Sequence, residues 1–172
     1  MAADIAQMET QLASPIRSTR DHAPAAAMPW LLFRTAGHVA ALPISHVVET
    51  LRVLPVESVS GAPLYVIGLS IIRGTPTAIV DTALLFGSEP TKHQRTVMVR
   101  KGERTIGLAA EEILGARTIG SEAQQRLPSL FGNIESVGAV AIIDEMLVFI
   151  LESARIISDD LLGNLLSQGA LE

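Results

Sequence analysis

Residues 61–87 read GAPLYVIGLSIIRGTPTAIVDTALLFG, and this stretch decides the fold class. Its apolar residues do not recur at helical spacing. They form two runs, 64–72 and 77–80, rich in Ile and Val and separated by Arg73-Gly74-Thr75-Pro76. Short β-type runs bounded by Gly and Pro predict two strands joined as a hairpin. Asp81 then stands where its carboxylate can cap a short helix over 82–85, a helix that has to end before Gly87.

The same grammar extends in both directions. Upstream, 30–35, the turn Ala36-Gly37-His38 and 39–42 predict a hairpin, and 47–54 predicts a strand ending at Pro55. Downstream, 96–100 and 104–109 flank Lys101-Gly102, and 137–143 and 146–151 flank Asp144-Glu145. Short strands at such spacing indicate a barrel or sandwich rather than a parallel sheet. One longer helix closes the chain, where Ser158 precedes Asp159-Asp160 and leucines fall at 161, 162, 165 and 166, with Gly163 weakening the pattern. Residues 1–29 differ: they are Ala-rich, broken by Pro15, Pro24 and Pro29, with faint helical spacing at Ile5, Met8 and Leu12. They are expected to be a flexible extension.

Overlaying the chain on itself exposes a faint repeat. At an offset of 71, residues 77–85 (TAIVDTALL) fall on 148–156 (VFILESARI), so that in each an apolar strand ends in an acid and a short helix start. At an offset of 65, the Gly37 turn falls on the Gly102 turn, and His46-Val47-Val48-Glu49 falls near Glu111-Glu112-Ile113-Leu114. Repeats decide architecture, and this one favours two similar small β-barrels.

Composition removes much chemistry. With no Cys among 172 residues, disulfide scaffolds, thiolate metal sites and thiol nucleophiles are excluded. A net charge of −5 and a 3% aromatic content argue against non-specific nucleic-acid binding and base stacking. The 48% hydrophobic content raises the question of a membrane span. The longest uncharged apolar-leaning stretch, 58–72, falls short of the ~20 residues a spanning helix needs. Near the start, the acids Asp4 and Glu9 precede Arg17 and Arg20, the reverse of a signal peptide, so a cytoplasmic protein is expected.

No catalytic constellation emerges. His22, His38, His46 and His93 are far apart, without the spacing of a metal-binding pair. The acid pairs Glu111-Glu112, Asp144-Glu145 and Asp159-Asp160 suit solvation better than paired acid–base work. Gly102 to Gly107 has the glycines of a loop but not the Lys-Ser/Thr of a phosphate cradle. No enzyme activity, cofactor or metal is expected.

The stretch 61–87 resembles the signature of the CheW-like adaptor proteins of bacterial chemotaxis, with Pro63, Tyr65, Gly68, Arg73-Gly74, Asp81 and Phe86-Gly87 in the signature places. Upstream, Ile44-Ser45-His46-Val47-Val48-Glu49 resembles the family segment in which a Val and a Glu stand two apart. The likeness covers about 30–157. Three departures stand out: Ile71-Ile72 where the family has Asn-Leu, Ala78 where it has Pro, and Thr82-Ala83 where it has Leu-Arg.

The resemblance implies a mainly β fold of two packed SH3-like five-stranded β-barrel subdomains with short helices and a C-terminal helix. The expected division is an extension at 1–29, a domain at 30–158 with halves near 30–90 and 91–158, and a helical tail at 159–172. It further implies a non-enzymatic scaffold coupling transmembrane chemoreceptor tips to the regulatory domain of a CheA-type histidine kinase. Such a protein is cytoplasmic and recruited to membrane receptor arrays, with neither nucleic acid nor membrane insertion involved.

Carried over position by position, Val47, Glu49, Gly68 and Arg73 match places associated with receptor or kinase coupling. Each also has a plainer reading. Arg73 beside Gly74 can contact a partner or pair with Glu49, or be only a solvated turn cation; Glu49 can share that surface with Arg73 or be an ordinary exposed strand residue; Val47 can be core or interface, and Gly68 a bulge or close backbone approach. The alternative function is a small-ligand-binding or regulatory β-barrel whose Ile-rich strands line a pocket.

Overall fold

The computed structural model describes residues 28–169. The expected extension lies outside the described residues except for Met28 and Pro29, and His22 lies outside them too. Met28 and Pro29 already belong to β1 (Met28–Thr35), which is followed by β2 (His38–Pro43), β3 (Val47–Arg52), β4 (Val66–Ile72), β5 (Thr75–Asp81) and the short helix α1 (Thr82–Leu85). Then come β6 (Arg95–Lys101), β7 (Arg104–Ala110), β8 (Glu112–Ile119), β9 (Gln124–Gln125), β10 (Val137–Ile143), β11 (Met146–Leu151) and α2 (Asp159–Gly169).

The hairpins form where the sequence places them, with tighter turns. Between β4 and β5 the loop is only Arg73-Gly74, both at positive φ (52° and 79°), and Thr75 and Pro76 already pair with β4. Two central residues at positive φ match the twist of the flanking strands. Asp81 caps α1 as its position suggests: its carboxylate accepts from the Ala83 N–H at 2.9 Å and the Leu84 N–H at 3.4 Å.

Two sheets result. The first has six strands in the order β8-β1-β2-β11-β10-β9, and the second five in the order β3-β6-β7-β5-β4. The two sheets fit the two expected β subdomains, as coiled open sheets of six and five strands rather than closed barrels. In the second sheet the edges meet only where Glu57, beyond β3, and Leu69 of β4 exchange N–H···O bonds of 2.8 Å. In the first, the two edge strands β8 and β9 are successive pieces of one stretch, 112–125. The short β9 pairs with β10 through two residues, so the sheet curls without closing by a full ladder.

The division expected near residues 90–91 does not separate the sheets. The second sheet is built from 47–110, whereas the first takes β1 and β2 from one side of that segment and β8 to β11 from the other. Strand β8 was not expected, because Gly115 and a run of exposed residues hide its period; pairing with β1 makes it a strand.

The faint repeat is physically real. The Asp81 N–H donates to the Tyr65 carbonyl at 2.7 Å, and at an offset of 71 the Glu152 N–H donates to the Ser136 carbonyl at 2.9 Å. The Val66 to Pro63 turn bond recurs as Val137 to Ile134, both 2.9 Å. Bulges fall at Val66/Gly68 and Val137/Ala139, and α1 is matched by the 3-10 turn Ser153–Arg155. Each unit then crosses to the other hairpin in parallel, β5 beside β7 and β11 beside β2.

Alternation along the strands assigns two faces. Phe33, Ala40, Leu42, Phe149 and Leu151 of the first sheet join Val80, Val97, Ile106 and Leu108 of the second in one buried core. Trp30, Leu32, Val39, Ala41, Val148 and Ile150 form a second cluster on the opposite face of the first sheet. Fully burying such side chains contributes about 1.5–3 kcal/mol each as an upper estimate. Helix α2 adds Leu162 and Leu165 to the common core, at a spacing that puts both on one face.

Candidate functional site

The four residues singled out from the sequence fall on the second sheet and divide into two kinds. Arg73 leads the two-residue turn at the tip of the β4–β5 hairpin, and from there its guanidinium reaches Glu49 on the opposite edge strand β3, Nη2 to Oε2 at 2.8 Å. Their side chains are 77% and 24% exposed. The pair ties the hairpin tip to the far edge of the same coiled sheet, so the sheet's curl brings together residues 24 positions apart.

Val47 and Gly68 lie beneath this surface. Val47 opens β3, is half-buried and packs against the common core. Gly68 is buried at φ 153°, and a Cβ there would overlap the Glu57 carbonyl oxygen and come within 2.6 Å of its carbon. Both backbone readings of Gly68, bulge and close approach, therefore hold at once, since the register shift and the Glu57–Leu69 bridge meet at this residue.

Sequence reasoning missed the apolar part of the surface. Val48, at the β3 bulge, is 47% exposed, and Ile71, two residues before Arg73 on β4, is 66% exposed. Ile71 lies on the face of β4 opposite the buried Ser70, two positions beyond Leu69, and there it is exposed while Leu69 is covered by the last turn of α2. Its exposure could be read only once the place of α2 was known.

Two of the histidines, His38 and His46, have side-chain partners. His38 meets Phe86 and Phe149 edge-on and contacts the Ser88 hydroxyl at 3.4 Å. His46 shares a 3.2 Å hydrogen bond with Ser153. Among the described residues no group of His, Asp and Glu is arranged to hold a metal, and no helix is long and apolar enough to cross a membrane.

A separate open groove of about 980 Å³ lies where the two repeat units meet, lined by Tyr65, Phe86, Phe131, Ser136 and Ile156 among others. Burial pushes the pKa of the Tyr65 hydroxyl above its ordinary 10.0, and the nearby Glu135 carboxylate adds to the rise.

Two coiled sheets related by an internal repeat and sharing one core define a two-sheet β protein, with an ion pair and flanking apolar residues on its second sheet. The chain belongs to the CheW-like domain family, whose model matches residues 29–161. Among solved structures it resembles the scaffolding protein TtCheW from Thermoanaerobacter tengcongensis, with a TM-score of 0.67 at 16% identity over 76% of this chain and 97% of that one. No curated protein matches it in sequence.

Proposed function

We propose that this protein is a non-enzymatic scaffold that couples transmembrane chemoreceptor tips to the regulatory domain of a CheA-type histidine kinase. It works in the cytoplasm and is recruited to membrane receptor arrays. The observation that carries the reading is the Arg73–Glu49 pair, which displays a cation, a carboxylate and the apolar Val48 and Ile71 on one sheet. Glu49 and Arg73 make partner contacts. Val47 and Gly68 act from beneath, one as packing and one by letting Glu57 approach. An exposed pair of this kind contributes only ~0–1 kcal/mol to folding, so its value lies in specificity.

The test is calorimetric titration of the protein with the kinase regulatory domain and with receptor cytoplasmic hairpins. Micromolar or tighter binding to either is expected, and silence with both overturns the reading. Arg73→Asn is the informative variant, because Asn suits a turn residue at positive φ. The melt should hold or rise while binding weakens at least about tenfold, a loss of ~1.4 kcal/mol.

The ligand-binding alternative finds no support in the Ile-rich strands. Ile71 faces solvent and Ile79 is sealed in the interior, so these residues do not line a pocket.

A further inference from the structure

Helix α2 is fastened to the sheets at few points. Leu162 and Leu165 are its buried residues, Leu161 and Leu166 pack partly buried against the same core, it lies against β4 and β5, and Gly169 lets its last turn sit on Leu69. Its first turn is held from a distant strand. Lys101 ends β6 with a side chain only 6% exposed, and its ammonium donates to the Ala154 carbonyl at 2.8 Å and pairs with Asp159 at 3.1 Å. The Asp159 carboxylate is itself 89% exposed.

The two partners of this contact are not equivalent. A buried ammonium left without acceptors is costly, so Lys101 stays fixed to Ala154. Asp159 gives up little by turning into water. Once it lets go, one face of four leucines, two buried and two partly so, and the Gly169 contact hold a helix of 11 residues that is marginal by itself.

We propose that α2 is a releasable strap, latched by Lys101 through Asp159, whose release uncovers an apolar strip on β4 and β5 beside Gly68 and Arg73 while both sheets stay folded. Leu69 lies in that strip: it sits under Gly169 and bonds Glu57 in the bridge that joins the edges of the second sheet. The strap thus covers the strand pair that carries the Arg73 turn. It stands whether or not the partner assignment above holds, because its test involves no partner.

Hydrogen exchange of the full-length protein, read by mass spectrometry, tests the latch. In Asp159→Lys, amides of 161–168 should exchange about tenfold faster than in the parent chain, while those at 97–99 and 106–108 in β6 and β7 keep their rates. Asp160→Lys makes the same charge change at the helix start without the Lys101 contact, and should alter α2 far less. The proposal is overturned if α2 is unchanged in Asp159→Lys, if α2 and the β6–β7 hairpin lose protection together, or if Asp160→Lys has the same effect. Both substitutions fall on exposed side chains, so neither threatens folding.

Discussion

Glycine at position 68 and glycine at position 74 do different work. At Gly74 the φ of 79° is the whole constraint, since a Cβ would meet open space. Replacing it with Ala should cost ~1–2 kcal/mol, the penalty of a left-handed residue. At Gly68 the same change adds an overlap with the Glu57 carbonyl, a backbone atom that cannot move without breaking the bridge to Leu69. Gly68→Ala should therefore lose about 3 kcal/mol or more, and thermal melts of the two variants will rank them. Tyr65 offers a second residue-scale test, because it is the chain's one tyrosine and its ionisation can be followed by ultraviolet absorbance. The midpoint should lie above 10.0, and Glu135→Gln should lower it only in part, as burial is the larger cause. A hydroxyl whose folded pKa exceeds its unfolded value contributes stability that is intact below pH 10 and is lost as pH rises through the folded pKa. Alkaline melts should decline there and not between pH 7 and 9.

At the scale of elements, the short helix α1 shows how little local sequence is needed when tertiary structure supplies the rest. Four residues cannot hold a helix alone. Here Asp81 accepts from two of its free N–H groups, and the Thr82 hydroxyl is tied to Thr35 and to the Ala109 carbonyl, which anchors the helix to both sheets. Asp81→Ala should cost ~1 kcal/mol, with ~2 as the upper end, whereas Asp81→Asn should be nearly neutral because Asn caps as well. Denaturant midpoints of the two variants separate the cap from any effect of charge. The cap, its strand and the hairpin before it were legible because each depends on neighbours in sequence. Strand β8 was not, since its residues become a strand only against β1.

The two sheets form a single cooperative unit on this architecture. Each sheet's hairpins are completed by strands from the other side of the chain, and one core joins both. Separate fragments 30–90 and 91–172 should therefore each lack native circular dichroism, the second because β6 and β7 lose β3 on one edge and β5 on the other. Mixing them is the way to recover it. Phe149→Ala removes a ring that contacts His38, Phe86 and Phe131 within the shared core. The loss should be ~3–5 kcal/mol and should lower hydrogen-exchange protection in both sheets equally.

The sequence by itself determined the β class, the hairpins, the cap at Asp81, the repeat and the family signature around Arg73. All of these rest on local chemistry: turn residues, β-branched runs and side chains that bond a few positions away. Tertiary structure alone decided which strands share a sheet, that the sheets coil without closing into barrels, and that Ile71 faces water. The reason is that strand pairing is non-local. A β segment has two edges and two faces with equal backbone chemistry, and only the assembled neighbours settle which edge is paired and which face is buried.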